Sequence, residues 1–239
     1  MKISTEHLMS ISVINFALIR ITRKNNEIEY GSLKLYYDNS FKDEENAPVT
    51  GEVIAPPRAL TYGPEGCFNE TEMEIKKGDQ VWFHYLCYIN AKPGNNSAGG
   101  RYFTIEGDSA EYILVKYDQM YLAKRGEEII PLNGHAIVEP LPAEDMWESK
   151  VLIVPEISNK IYKRSETFGT VKYLGAPVKK YKDPNIPPDD LQLKVGNVVA
   201  IEVFADIPIE TELHQVLPKT YFRVLRKDIL GIVEDGIKS

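Results

Sequence analysis

Apolar and polar residues alternate with a period of two along most of the chain, which predicts strands rather than helices. The clearest example is 81–88, where the odd positions Val81, Phe83, Tyr85 and Cys87 are all apolar. No segment keeps an amphipathic period of 3.6 over three turns. Short apolar runs end at Gly or Pro about every ten residues, so each is expected to form one short strand.

One phrase occurs twice in nearly the same form, IKKGDQV at 75–81 and LKVGNVV at 193–199. Each copy places Gly before Asp or Asn and then an apolar run, which predicts a turn that leads into a strand. Tandem copies of one unit are the simplest explanation. The same separation of 118 residues relates three further pairs: Gly51 with Gly169, Asn15 with Asn133, and 32–35 with 150–153.

The length of 239 residues suits two domains of about 110 residues better than one. A charged, glycine-containing break lies at 125–128, so the expected domains are 12–124 and 131–236. Hydrophobic content of 43% with 26% charged residues predicts a packed core. The fold class expected from these patterns is all-β, with one small β-barrel and long loops in each repeat.

The formal net charge of −7 argues against a nucleic-acid partner, because phosphates would be repelled. The run Lys179, Lys180 and Lys182 lies among prolines and is interpreted as a solvated loop. No stretch approaches the ~18 apolar residues of a membrane span, and the N-terminus does not have the pattern of a signal peptide. Two cysteines give no disulfide framework, so we expect a cytoplasmic protein.

The residues that usually carry chemistry form no recognisable active site. His84 and Cys87, with Cys67 as a third ligand, could suggest a metal site, but strand alternation would point His84 and Cys87 in opposite directions. The four histidines lack paired-ligand spacing, and neither a phosphate-binding glycine loop nor a Gly-x-Ser-x-Gly turn is present. We therefore expect no enzymatic activity, no metal and no cofactor.

Four segments of the second repeat, in order, resemble the GroES family of co-chaperonins: KVLIVPE at 150–156, GTVKYLG at 169–175, LKVGNVVAI at 193–201 and DILGIVE at 228–234. The first repeat carries a weaker version, with GSLKL at 31–35, GEVIAPP at 51–57, IKKGDQV at 75–81 and DQMYLA at 118–123. The resemblance covers nearly the whole chain as two GroES-like domains in tandem.

What the resemblance implies is a chaperone partner rather than a catalyst. Family members form a ring that caps a GroEL-type chaperonin and binds it through a mobile loop ending in three aliphatic residues. In the second domain these would be Leu152, Ile153 and Val154, followed by Pro155. In the first domain they would be Leu33, Lys34 and Leu35, where the lysine departs from the family because an apolar groove would have to desolvate its charge.

The resemblance also implies a homo-oligomer, since in the family the terminal strand pairs with the neighbouring subunit's first strand. Candidate subunit-interface residues are therefore Asp228, Ile229, Leu230 and Ile232. The strand at 118–123 is expected to pair near 133–140, which would leave the strands at 14–21 and 228–234 to join chain to chain.

Three alternatives stay open from the sequence. The run at 151–154 also suits a buried barrel strand. A structural or assembly protein, for example a phage-related one, could keep the fold without binding a chaperonin. Zinc-dependent medium-chain dehydrogenases contain a GroES-like domain, but their nucleotide-binding domain and metal ligands are missing here. Two-domain chains also cannot evenly fill a ring of seven places, so the oligomer size is undetermined.

Overall fold

The computed structural model describes residues 2–3, 11, 13–21, 27–30, 33–36, 47–63, 65–92, 101–105, 110–142, 164–186, 192–202, 207–208 and 221–233. The chain divides into two compact units, Met1–Asn133 and Gly134–Ser239. Both are built mostly of β-strands, as the alternating pattern predicts. The charged break at 125–128 is a hairpin turn inside the first unit, and the two units join at Asn133–Gly134.

The strands of unit 1 are β1 (Lys2–Ile3), β2 (Phe16–Ile21), β3 (Glu27–Tyr30), β4 (Leu33–Tyr36), β5 (Thr50–Ala55), β6 (Gln80–Phe83), β7 (Tyr102–Ile105), β8 (Glu111–Lys116), β9 (Met120–Arg125) and β10 (Glu128–Pro131). Its helix α1 spans Leu86–Ala91. The strands of unit 2 are β11 (His135–Pro142), β12 (Arg164–Leu174), β13 (Val198–Ile201), β14 (Ile207–Pro208), β15 (Phe222–Leu225) and β16 (Ile229–Ile232).

The sheet of unit 2 repeats the order of the six central strands of unit 1. Unit 1 has the order β1-β7-β8-β2-β5-β6-β9-β10, and unit 2 has β14-β15-β11-β12-β13-β16. Both sheets are antiparallel except where β1 pairs in parallel with β7. Strands β3 and β4 form a separate hairpin. Among the described strands, unit 1 therefore differs by one added strand at each edge of the shared six.

Register details repeat as well. Gly51 pairs with Val81, and Gly169 pairs with Val199, which keeps the separation of 118 residues. A bulge lies at Trp82/Phe83 in one unit and at Ala200/Ile201 in the other. The first strand of the repeat is shifted by one residue from the sequence match. In unit 1 the Asn15 carbonyl accepts a hydrogen bond from Tyr117 N–H. The equivalent bond in unit 2 runs from Arg226 N–H to the carbonyl of Gly134, not to that of Asn133.

Each unit has its own apolar core, formed by the alternate residues of equivalent strands. Four positions are fully buried in both units: Ile19, Val53, Val81 and Val115 in unit 1, and Val138, Val171, Val199 and Val224 in unit 2. Burying such a side chain stabilises the fold by about 1.5–3 kcal/mol. The alternating pattern and the repeat thus identify the same buried positions.

Three sequence expectations are wrong. The strand expected over 81–88 ends at Phe83, and α1 follows it, since Cys87, Tyr88 and Ala91 are buried at helical spacing. Strand β9 pairs with β6 and β10 rather than with β11. Strand β2 lies between β8 and β5 and so has no open edge to offer a neighbouring chain.

Candidate interaction surface

The residues expected to bind a chaperonin are only partly covered by the structure. Leu152, Ile153 and Val154 lie outside the described residues. Leu33 and Leu35 lie on β4, where they pair with Tyr30 and Ile28 of β3. Lys34, the residue that departs from the family pattern, stands opposite Glu29 in the same hairpin. The first-repeat triplet is therefore part of a two-stranded ribbon.

The four candidate interface residues have three different environments. Asp228 ends a 3-10 turn, where its carbonyl accepts from Glu202 N–H at 2.8 Å and its carboxylate lies 3.0 Å from Lys227 Nζ. Ile229 and Ile232 pack in or against the core of unit 2. Leu230 is 67% exposed. Only Leu230 therefore directs a large apolar side chain to the outside.

Strand β16 is the edge of its sheet within the described residues, because β13 is the one strand paired with it. Its counterpart in unit 1 is β9, and β10 covers the outer edge of β9 through the pairs Ile130–Ala123 and Pro131–Leu122. An open edge presents unpaired N–H and C=O groups that can accept another strand. Within the part of the chain that the structure describes, unit 2 thus leaves open the edge that unit 1 closes.

The sheet face beside this edge also differs between the units. Phe168, Ala200 and Gly231 are register neighbours across β12, β13 and β16, and Leu230 lies at the bulge beside them. Their counterparts Thr50, Trp82, Leu122 and Tyr121 are all buried. Tyr121 is 1% exposed whereas Leu230 is 67% exposed, and Phe168 is 38% exposed.

The open edge and this exposed face together define a candidate interaction surface, formed by Phe168, Ala200, Leu230 and Gly231. A Cβ added at Gly231 would meet no atom within 4 Å. Sequence reasoning identified Leu230 but missed Phe168 and Ala200. The available signal was the repeat itself, which aligns Phe168 with Thr50 and Ala200 with Trp82.

The repeated phrase forms the same turn in both units. Gly78 and Gly196 have φ of 88° and 94°, as the glycine chemistry predicts. Lys76 N–H donates to Asp79 Oδ2 at 2.7 Å, and Lys194 N–H donates to Asn197 Oδ1 at 2.7 Å. Unit 1 adds a bidentate ion pair, from Arg125 Nε to Asp79 Oδ1 at 2.9 Å and from Arg125 Nη2 to Oδ2 at 2.7 Å.

The histidine and cysteine residues are closer than strand alternation implied. Because α1 replaces the end of the expected strand, His84 and Cys87 line the same cavity of about 150 Å³. Burial raises the pKa of the Cys87 thiol to about 12 and that of Cys67 to about 11, so both are protonated near neutral pH. Cys87 Sγ lies 2.9 Å from Gln119 Oε1. This arrangement favours packed thiols over a nucleophile or a metal ligand.

No group of three or more His, Cys, Asp or Glu side chains within the described ranges could hold a metal ion. Among those same residues, no helix has the length and apolar character needed to cross a membrane. No family model and no curated protein matches the chain.

Proposed function

We propose that this protein is a cytoplasmic co-chaperonin-like protein, a ring-forming assembly that binds a GroEL-type chaperonin and assists protein folding without a cofactor. One observation carries the proposal. Segments through which the two repeats resemble the GroES family fall on equivalent elements: 51–57 and 169–175 on β5 and β12, 75–81 and 193–199 on the repeated turn, and 118–123 and 228–234 on β9 and β16.

Assembly would use the open edge of β16. In unit 1 the equivalent edge, that of β9, is closed by β10, and β10 immediately precedes the first long strand of unit 2 in the chain. The segment at the same place before β2 is 9–12, so a second copy of the chain would supply the strand that pairs with β16. Chains joined in this way run head to tail, which generates a ring where the rotation closes.

Binding to the chaperonin would rest on Leu152, Ile153 and Val154. Burying three aliphatic side chains yields roughly 4–9 kcal/mol gross, while ordering each loop residue costs about 1–2 kcal/mol. One such segment therefore binds weakly. Several copies held on one rigid assembly give useful affinity, because later contacts form at high effective concentration.

The test is capture of the full-length protein on an immobilised GroEL-type chaperonin with and without ATP. We expect ATP-dependent capture of the wild type, loss of capture for Ile153→Glu, and normal capture for Val195→Glu, a matched change at an exposed position of unit 2. The glutamate at 153 would have to be desolvated in an apolar groove. Absence of ATP-dependent capture of the wild type would refute the chaperonin role.

A second candidate function is a structural or assembly protein that keeps the repeated fold without a chaperonin partner. The β3–β4 hairpin favours it, because Lys34 stands opposite Glu29 and the first-repeat triplet lacks three consecutive apolar side chains. This candidate predicts that the wild type forms oligomers and yet shows no ATP-dependent capture.

A further inference from the structure

The cavity beside α1 has an apolar wall and an opening to solvent. Its volume is about 150 Å³, which is the size of a cavity that can hold benzene. The apolar wall is formed by Leu86, Ala91 and Leu114. Three of the residues that line the cavity, Leu86, Arg101 and Gln119, are exposed. A small molecule can therefore enter it from solvent and cover an apolar surface.

The polar side chains of the cavity wall are donors rather than acids. They belong to His84, Asn90, Arg101 and Gln119. Among the described residues, no Asp or Glu lines the cavity. The nearby carboxylate of Asp118 is already paired, since its Oδ2 lies 3.1 Å from a lysine ammonium. A concave site with one cation and no acid attracts an anion.

Arg101 is positioned by an aromatic ring and by its own backbone. Its Cζ lies 4.8 Å from the centroid of the Phe16 ring, within the range of a cation–π contact. Its carbonyl accepts from Leu114 N–H at 2.9 Å. Within the described part of the chain, no acid pairs with this guanidinium. Its planar fork of N–H groups therefore remains available for a carboxylate, which it matches in shape.

The orientation of the Gln119 amide follows from the cysteine beside it. Burial raises the pKa of the Cys87 thiol to about 12, so the thiol keeps its proton near neutral pH and donates to Gln119 Oε1 at 2.9 Å. The Nε2 group of this amide is then the donor that a ligand can meet. His84 Nδ1 accepts from Leu86 N–H at 3.3 Å, so the neutral ring carries its proton on Nε2.

Unit 2 carries acids at two of the equivalent positions. The bond from His84 N–H to the Gln119 carbonyl, at 3.2 Å, recurs as the bond from Glu202 N–H to the Asp228 carbonyl, at 2.8 Å. Glu202 and Asp228 therefore stand where unit 1 has His84 and Gln119. The set of donors without acids is a property of unit 1 and not of the repeated fold.

We propose that this cavity binds a small organic carboxylate. The carboxylate contacts the guanidinium of Arg101 and Nε2 of Gln119, and the apolar part of the ligand packs on Leu86, Ala91 and Leu114. The volume limits the buried apolar part to about one six-membered ring. A bare inorganic anion would leave the apolar wall uncovered, so an organic acid fits the cavity better. The site uses none of the residues assigned to chaperonin binding or assembly.

The test is calorimetric titration of the full-length protein with benzoate in a buffer of low chloride. We expect a dissociation constant of about 1 mM or below, as suits a ligand of this size. Benzamide keeps the ring without the charge, and inorganic phosphate keeps a charge without the ring. Each should bind at least about tenfold more weakly than benzoate, because each loses one of the two contacts.

Two variants remove the polar contacts at exposed positions. Arg101→Gln deletes the charge, and Gln119→Asp introduces the acid that unit 2 carries at Asp228. Each should weaken benzoate binding by about tenfold or more. Arg58→Gln is the matched control, because it deletes the same charge at an exposed position outside the cavity, and it should change the affinity by less than about twofold. Calorimetric unfolding checks that all three variants are folded.

A dipeptide that ends in phenylalanine distinguishes two sources of the same carboxylate. Tighter binding than benzoate would identify a peptide C-terminus as the ligand, and weaker binding would identify a free acid. The proposal is overturned if benzoate does not bind the wild type, if benzamide or phosphate binds as tightly as benzoate, or if Arg101→Gln leaves the affinity unchanged. The comparison of probes uses the wild type alone and so does not depend on the folding of a variant.

Discussion

Gly51 and Gly169 hold the same place in the two units, each against the backbone of the strand that begins its repeat. A Cβ on Gly51 would overlap the Arg20 carbonyl oxygen and Ile19 Cγ2. One on Gly169 would overlap Val138 Cγ1 and approach the Glu139 carbonyl oxygen at 2.8 Å. Close approach, rather than positive φ, is the reason that these positions need glycine.

We therefore expect Gly51→Ala and Gly169→Ala each to lower the free energy of unfolding by about 1–3 kcal/mol, since paired strands cannot separate to admit the methyl group. Gly231→Ala is the matched control, because its added Cβ meets no atom within 4 Å. It should be neutral or stabilising by up to about 1 kcal/mol. Calorimetric unfolding of the three variants measures this, and equal losses at all three positions would contradict it.

Individual residues were predictable from the sequence where local chemistry decides their conformation. The turns at Gly78 and Gly196 follow from glycine beside a short polar side chain. The direction of Leu230 was not predictable, because it depends on a bulge that changes the alternation of β16 against β13. An apolar run alone does not reveal such a shift.

At the scale of an element, the turn before β6 is more strongly braced than its counterpart before β13. The carboxylate of Asp79 accepts hydrogen bonds from the Lys76 N–H and from the guanidinium of Arg125. Arg125 Nη2 also donates to the Glu74 carbonyl at 2.9 Å. Asn197 keeps the local bond to Lys194 N–H. The shared bond forms the turn, and the added ion pair ties it to β9.

Asp79→Asn should therefore keep the turn and lose the ion pair, which lowers the free energy of unfolding of unit 1 by about 1–2 kcal/mol because Arg125 is partly exposed. Asn197→Asp in unit 2 should change stability by less than about 0.5 kcal/mol. Calorimetric unfolding of each variant, which follows both units, measures the two changes. No difference between the two substitutions would show that the ion pair contributes nothing.

Strands were predictable as a class, but one boundary was not. Alternation identified β6 and the equivalent β13. Strand β13 buries every second residue, whereas β6 buries Trp82 as well as the alternate residues Val81 and Phe83. It failed beyond Phe83, where the apolar run 85–89 follows His84 and strand and helix patterns cannot be told apart over a few residues. The unpredicted helix changes which side chains meet, since α1 brings His84 and Cys87 to one cavity.

At the scale of the whole molecule, the candidate interaction surface predicts how copies associate. Leu230→Lys should leave unit 2 folded, because the side chain is exposed, and should prevent strand pairing at β16, because an edge lysine opposes addition of another strand. Light scattering is expected to give a monomer for this variant and an oligomer for the wild type. Leu86→Lys, at an exposed position of α1, is the control.

An unchanged oligomer in Leu230→Lys would place the assembly contact elsewhere. The shared register of the two units was predictable from the sequence, since the pairs Gly51–Val81 and Gly169–Val199 keep the separation of 118 residues. The unequal edges were not, because β10 looks like a linker in the sequence and becomes an edge strand only through its pairing with β9.

The replacement of Trp82 by Ala200 and of Leu122 by Gly231 at equivalent positions has a genetic consequence. In an assembly of single-domain chains, one codon sets the residue at every equivalent position, so a change that opens one face opens all of them. A tandem gene has two codons for each position. Large side chains can then be lost from the face of one repeat while the other repeat keeps them. Selection also acts on a mutation in one repeat independently of the equivalent position in the other.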